Sequence, residues 1–215
     1  MSVRRITNGG RKVIGKFPSL KMGRAVWWES QLERDYIYYL EVDRDIVSYK
    51  EQPLKIRYLL DRKIHHYTPD FLVWRTDKQQ IVEVKDEESA GKEEYRHLFH
   101  IVAPLFMEEG YEFVVVTEKT IRLRPLLDNL KLLHKYSRTI ISHKHQIDAY
   151  AFFSSDEDGT LGKLASFLRA KGSGAEIAYA LIYWGVIAVD LANPINSQSQ
   201  VSLADASMLT KEKCA

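Results

Sequence analysis

The chain has 215 residues, of which 45% are hydrophobic and 28% are charged, and its formal net charge is +2. This length allows one large domain or two small ones, and the apolar content is sufficient for a packed core. No apolar run reaches the roughly 18 residues of a membrane span, no secretory signal is apparent, and the single cysteine, Cys214, excludes an intrachain disulfide and a cysteine metal cluster.

The basic residues are concentrated in two blocks. Residues 1–28 carry seven lysines and arginines and no acidic residue, and residues 119–145 carry seven against Asp128 alone. Segregated positive charge is attracted to a phosphate backbone, so both blocks are candidates for nucleic-acid contact. The simpler alternatives are a basic tail and an ordinary solvated helix.

The N-terminal part of the chain predicts a mixed α/β domain. Residues 1–23 are expected to be irregular, because glycines and Pro18 interrupt any periodicity, and a helix is predicted over 24–42. Further elements are predicted as strands over 46–51, 54–60, 64–74 and 79–85, a helix over 88–108 and a strand over 111–117.

The C-terminal part predicts a smaller, mostly helical module. Helices are expected over 125–136, 144–153, 159–171 and 174–183, followed by strands over 186–191 and 199–203. A helix, a turn, a helix and a hairpin give the outline of a winged helix. The last helix and the hairpin contain no basic residue, so docking on protein fits this module at least as well as reading DNA.

The most informative motif lies in the predicted sheet. Twelve residues separate Pro69-Asp70 from Glu83-Val84-Lys85, and a hairpin turn centred between Thr76 and Asp77 would place Asp70 opposite Glu83. Like charges across a strand pair are unfavourable unless a cation lies between them. Glu83 and Lys85 share one strand face. Two carboxylates and a lysine suit metal-dependent phosphodiester cleavage, although a hairpin with one solvated face would show the same pattern.

A third carboxylate is available from the upstream helix. Glu33 lies on the same side as apolar helix residues, and Glu29, one turn earlier, is its rival. The alternative for Glu33 is a boundary residue paired with a surface lysine. His65 and His66 are adjacent in a predicted strand and point to opposite faces, so we expect a structural or DNA-facing role for them rather than a shared metal.

Four motifs together resemble a known family. They are Trp28-Glu29-Ser30-Gln31-Leu32-Glu33-Arg34-Asp35, Glu51-Gln52-Pro53, Tyr67-Thr68-Pro69-Asp70-Phe71-Leu72-Val73 and Val82-Glu83-Val84-Lys85. This pattern closely resembles the N-terminal nuclease domain of TnsA, the endonuclease subunit of heteromeric transposases. The resemblance is specific over about residues 25–118 and weaker over the C-terminal part.

The resemblance implies an α/β, restriction-endonuclease-like (PD-(D/E)xK) core with a C-terminal winged-helix-like domain. The expected division is a basic segment over 1–24, the nuclease domain over 25–119, the winged-helix-like domain over 120–206 and a tail over 207–215.

The resemblance also implies the site. Glu33, Asp70, Glu83 and Lys85 would be catalytic. The metal ligands would be Glu33, Asp70, Glu83 and the Val84 carbonyl, with Mg²⁺ as the cofactor and Mn²⁺ as a substitute. Gln52 would lie near the site, and the spacing to the Glu51-Gln52 motif favours Glu33 over Glu29.

The implied function is a metal-dependent DNA endonuclease that hydrolyses the 5′-end, non-transferred strand at transposon ends and so allows cut-and-paste excision. Its partners would be double-stranded DNA at the transposon ends, a TnsB-type transposase and a TnsC-type AAA ATPase. The expected location is the bacterial cytoplasm, without membrane contact. The alternatives are a stand-alone restriction or repair nuclease of the same fold and a non-catalytic DNA-binding adaptor.

Overall fold

The computed structural model describes residues 13–155 and 159–204, and the chain divides into two compact units between Leu123 and Arg124. Residues 1–12 of the expected basic segment 1–24 and all of the expected tail 207–215 lie outside the described residues. No helix in the described ranges is long and apolar enough to cross a membrane.

The first unit alternates strands and helices. Its elements are β1 (Gly15–Ser19), β2 (Arg24–Trp28), α1 (Gln31–Val42), β3 (Ile46–Glu51), β4 (Ile56–Leu60), β5 (Lys63–Tyr67), β6 (Phe71–Arg75), β7 (Gln79–Lys85), α2 (Glu87–Gly91), α3 (Glu93–Glu108), β8 (Glu112–Thr117) and α4 (Glu118–Ile121).

Three of the predicted boundaries are wrong. β1 and β2 form an antiparallel hairpin where irregular chain and the start of a helix were expected, and α1 begins only after Ser30, whose hydroxyl accepts from the Glu33 N–H at 3.0 Å. The strand predicted over 64–74 is interrupted before Phe71, and its two parts belong to different sheets. The helix predicted over 88–108 is interrupted at Lys92, which caps both α2 and α3.

A four-stranded mixed sheet forms the centre of this unit. Its strand order is β3–β6–β7–β8, with antiparallel pairing except between the parallel strands β7 and β8. Residues of β6 and β7 alternate between two buried clusters. The cluster shared with α1 includes Phe71, Val73, Val82, Val84, Ile37 and Leu40. The cluster shared with α3 includes Leu72, Ile81, Tyr67, Val102 and Phe106. Helices therefore cover both faces of the sheet, as mixed α/β folds require.

An ion pair between exposed Arg24 and buried Glu51 joins the β1–β2 hairpin to this sheet. Arg24 donates from both guanidinium nitrogens to Glu51, at 2.7 and 2.6 Å, and the Trp27 N–H also approaches Glu51. A bidentate pair of this kind fixes orientation as well as distance. It anchors the chain immediately before α1, the helix that carries Glu33.

The second unit consists of α5 (Leu126–His134), α6 (His143–Ser155), α7 (Leu161–Ala170), α8 (Glu176–Tyr183), β9 (Ile187–Val189) and β10 (Val201–Leu203). β9 and β10 pair antiparallel, and Thr160 forms a bridge to Gln200 beside them. The predicted helices and the closing hairpin are present, with ends shifted by a few residues. Membership of the winged-helix class stays a prediction.

Candidate active site

Asp70 and Glu83 face each other at one end of the β6–β7 pair. Phe71 pairs with Val82, and continuing this register one residue outward places Asp70 opposite Glu83, as the sequence predicted. Asp70 Oδ2 accepts from the Val84 N–H at 2.7 Å. The backbone of β7 therefore holds the Asp70 carboxylate against the neighbouring carboxylate.

Glu83 is buried, and each of its oxygens has a partner. Its Oε2 accepts from the Tyr67 hydroxyl at 2.6 Å, and its Oε1 accepts from Lys85 Nζ at 3.0 Å. Lys85 Nζ also lies 4.6 Å from the centre of the Tyr95 ring. Tyr67 is a site residue that the sequence analysis missed, because its approach to Glu83 depends on the bend between β5 and β6.

Glu33 is directed into the same cleft by the start of α1. Its Oε2 accepts from the Glu29 N–H at 2.8 Å, and its own N–H is capped by Ser30, which together resemble a capping box. This arrangement turns the carboxylate back toward the first turn of the helix.

Glu29 also lines the cleft, but its carboxylate has a different hydrogen-bond partner. Its Oε1 accepts from the Gln52 side-chain amide at 2.8 Å. Gln52 is buried, adopts a left-handed φ of 41°, and donates its backbone N–H to the Asp70 carbonyl at 2.8 Å. Gln52, predicted to lie near the site, thus supports both Glu29 and the Asp70 backbone. A left-handed conformation in a residue other than glycine is strained, and such strain is often found at functional sites.

The electrostatics of the cleft favour Glu33 over Glu29 as the third carboxylate. Burial raises the pKa of Asp70 well above its usual range, and the negative charges of Glu83 and Glu33 raise it further. Burial also raises the pKa of Glu33, with smaller contributions from the charges of Glu29 and Glu83. The Glu33 carboxylate is thus close enough to Asp70 for its charge to act on it.

Lys85 is the cation of the site. Burial lowers the pKa of its ammonium, but the adjacent Glu83 carboxylate and Asp70 outweigh this effect, and the net pKa is raised. The raised pKa favours the protonated form of Lys85, so the cleft contains a positive charge beside Glu83.

These side chains line one cleft of about 940 Å³. Its wall includes Glu33, Lys55, His66, Asp70, Glu83 and Lys85. Among the described residues, no three histidine, cysteine, aspartate or glutamate side chains are close enough to form a complete metal site. The donor set nevertheless suits a hard divalent ion, because the carboxylates of Glu33, Asp70 and Glu83 lie in the same cleft as Lys85. Val84 takes part through its N–H to Asp70.

One known family model matches part of this chain. Residues 43–118 match the family model described as TnsA-like endonuclease N terminal. This segment is a TnsA-like endonuclease domain. The matched range contains Gln52, Asp70, Glu83 and Lys85, whereas α1 with Glu33 precedes it. The TnsA-like match indicates a nuclease of a Tn7-type transposition system with DNA as its substrate. No curated protein matches the chain.

Proposed function

We propose that this chain is the Mg²⁺-dependent endonuclease subunit of a heteromeric transposase, with a catalytic core of the PD-(D/E)xK class. It hydrolyses the 5′-end, non-transferred strand at each transposon end, alongside a TnsB-type transposase and a TnsC-type ATPase. The observation that carries the proposal is the Asp70–Glu83 pair, which lies beside Lys85 in one cleft of a TnsA-like domain.

In this proposal each polar residue of the cleft has a separate task. Asp70, Glu83 and Glu33 would hold the divalent ion, with the Val84 carbonyl as a further ligand. A bound ion supplies an activated water and stabilises charge on the leaving oxygen. Lys85 stabilises the negative charge that grows on the attacked phosphate, because it remains protonated next to Glu83.

The surroundings of these residues explain how the site keeps its shape. Tyr67 holds Glu83 Oε2, and Gln52 holds Glu29 and the Asp70 backbone. Buried polar groups with fixed partners lose little free energy to reorganisation during the reaction. Asp70 Oδ1 accepts no hydrogen bond from the described residues, so it is available to an ion.

The second unit is assigned a docking role in the same proposal. Its helices, its β9–β10 hairpin and the Thr160–Gln200 bridge are the parts expected of a winged helix. α8 and the hairpin carry no basic side chain, which favours contact with a protein partner of the complex.

Strand-resolved cleavage tests this function. A duplex carrying a transposon end is labelled separately on each strand and incubated with the full chain, its transposase and ATPase partners, and Mg²⁺. The wild type should cut the 5′-end strand, and Asp70→Ala should abolish this cut while complex assembly, measured by gel shift, persists. Asp77→Ala, in the exposed turn at the opposite end of β6 and β7, is the control and should cut normally.

Unchanged cleavage by Asp70→Ala would show that the site is wrong. Sequence-selective cutting by the purified chain alone would instead indicate a stand-alone nuclease. Assembly without any cutting by the wild type would indicate a DNA-binding adaptor.

A further inference from the structure

The β4–β5 hairpin, called the ribbon below, has two unlike faces. Ile56 and Tyr58 pack on its inner side against the cluster around Tyr67, and Tyr58 stacks on His65 at 5.5 Å. The outer side carries the register pairs Arg57–His66 and Leu59–Ile64. The outer face therefore lacks the packing that buries the inner face.

The outer face begins at the catalytic cleft. Extending the register by one residue beyond Ile56–Tyr67 places Lys55 opposite Thr68, and Lys55, His66 and Thr68 all line the cleft. Successive rows on one strand face are about 6.6 Å apart. The Leu59–Ile64 row thus lies about 13 Å from the Lys55 row. This distance equals the rise of about four base pairs along a duplex.

The ribbon is rich in positive charge. Lys55, Arg57, Arg62 and Lys63 are exposed, and Asp61 is the acidic residue among them. None of these four cations forms a hydrogen bond or an ion pair with another described residue. Side chains of this kind are available to phosphate oxygens, which provide most of the affinity of a protein for duplex DNA.

The tip of the ribbon combines exposed apolar side chains with a strained turn. Leu59 and Ile64 are 67% and 66% exposed, although they lie directly opposite each other. The two-residue turn has φ of 50° at Asp61 and 61° at Arg62. Glycine is strongly preferred at such positions. An arginine here places a charge at the tip at the expense of backbone strain.

We propose that this ribbon binds the duplex next to the cleavage site. In this inference, which rests on the function proposed above, Lys55, Arg57 and Arg62 contact phosphates, and the Leu59–Ile64 pair contacts bases that are partly unstacked. Two strands about 4.8 Å apart fit a major groove about 12 Å wide. Apolar side chains that enter between base steps unstack them, as is known for proteins that bind the minor groove. The charge and the continuity with the cleft favour DNA over a protein partner.

Salt-dependent binding tests the charged contacts. Affinity of the full chain for a 40-base-pair duplex of mixed sequence with several TA steps is measured by fluorescence anisotropy in Ca²⁺ over a salt series. Each lost phosphate contact should reduce the slope of log affinity against log salt by about 0.9. We expect this reduction for Arg57→Gln and for Arg62→Gly. Lys78→Gln, which removes a charge already paired with Glu112 at 2.9 Å, should leave the slope unchanged.

Arg62→Gly separates binding from folding. Glycine relieves the left-handed backbone at this position, so the melting temperature should rise while DNA binding weakens. A variant that merely damaged the fold would have a lower melting temperature as well as weaker DNA binding. An increase in melting temperature with an unchanged salt slope would overturn the assignment of Arg62 to phosphate contact.

The apolar tip is tested by thymine reactivity. Permanganate oxidises unstacked thymines, and the wild type should create reactive thymines at a TA step, where stacking is weakest. Leu59→Ser/Ile64→Ser should keep the salt slope, weaken binding about tenfold and remove this reactivity. Met107→Ser, which changes a side chain that is also 66% exposed, should behave as the wild type.

The failures of this inference and of the proposed function can be distinguished. Asp77→Ala, which leaves both the ribbon and the cleft intact, should bind and distort the duplex as the wild type does. If Leu59→Ser/Ile64→Ser binds and distorts DNA normally, or loses only self-association or binding to the transposase, the ribbon does not contact DNA, whatever the cleavage result. If the ribbon variants behave as expected and Asp70→Ala still cuts DNA, the proposed function is wrong.

Discussion

Replacing Asp70 with asparagine should stabilise the folded protein when divalent ions are absent. Asp70 lies opposite Glu83, and Glu33 adds a third negative charge to the cleft. Opposed side chains in an antiparallel pair are about 5 Å apart. At an effective dielectric constant of about 20, two unit charges at this distance repel by about 3 kcal/mol. The asparagine is nearly isosteric, and its amide oxygen can still accept from the Val84 N–H.

The gain should be smaller than this repulsion. Asparagine also loses the attraction of the Asp70 carboxylate to Lys85, so a net stabilisation of about 1–2 kcal/mol is expected. In a unit of this size this corresponds to an increase of about 3–8 °C in melting temperature. The assay is thermal unfolding in EDTA at pH 8, followed by circular dichroism and calorimetry.

The pH dependence follows from the direction of the pKa shift. The pKa of Asp70 is higher in the folded protein than in the unfolded chain. The folded wild type therefore loses stability as pH rises from about 4, the pKa of an unperturbed aspartate, through the folded pKa. Asparagine does not titrate, so the difference in stability between Asp70→Asn and the wild type should be small near pH 4 and largest at pH 8.

Glu112→Gln provides the matched control. Glu112 is an exposed carboxylate whose pKa is lowered by hydrogen bonds from Lys78 and Gln80. Its removal should not stabilise the protein at pH 8. If Asp70→Asn is less stable than the wild type in EDTA at pH 8, or if its advantage does not grow with pH, the three carboxylates do not repel one another as argued.

Three further predictions concern the site and the fold. Tyr67→Phe removes the hydrogen bond to Glu83 at 2.6 Å. It should lower the single-turnover cleavage rate about tenfold and the free energy of unfolding by about 1–2 kcal/mol. An unchanged cleavage rate would mean that Tyr67 does not position Glu83. Gly15→Ala should lower the free energy of unfolding, measured with denaturant, by about 1–3 kcal/mol, because its Cβ would lie 2.3 Å from the Trp28 ring. Gly91→Ala should be tolerated, because no atom lies within 4 Å of the added Cβ. Equal effects of the two substitutions would contradict this packing. Mg²⁺ and Ca²⁺ should both raise the melting temperature, but Ca²⁺ should not support cleavage, and an absence of any shift would count against a preformed ion site.

The central hairpin could be predicted because its determinants are local. Asp70 and Glu83 are joined by a short turn, and strand alternation then decides which side chains share a face with Lys85. β3 and β7 were likewise predicted with the bounds that the structure gives them. In these segments the strand propensity, the turn residues and the tertiary packing all favour the same arrangement.

The remaining features depend on contacts between distant segments. The β1–β2 hairpin was missed because its basic residues obscure the alternation of apolar and polar side chains that is typical of a strand. In addition, Arg24 meets its buried partner, Glu51, only in the folded chain. The capping pattern at Ser30 and Glu33 was visible in the sequence and would have corrected the start of α1. Tyr67 approaches Glu83 only because β5 and β6 belong to different sheets.

Anomalous diffraction from crystals of the full chain grown with Mn²⁺ tests the central claim most directly. We expect a Mn²⁺ peak in the cleft, within about 2–2.5 Å of carboxylate oxygens of Asp70 and Glu83 and nearer to Glu33 than to Glu29. The peak should be absent in Asp70→Ala crystals. A wild-type cleft without a peak, with Mn²⁺ bound only elsewhere, would contradict the assignment of these carboxylates to a metal-dependent nuclease.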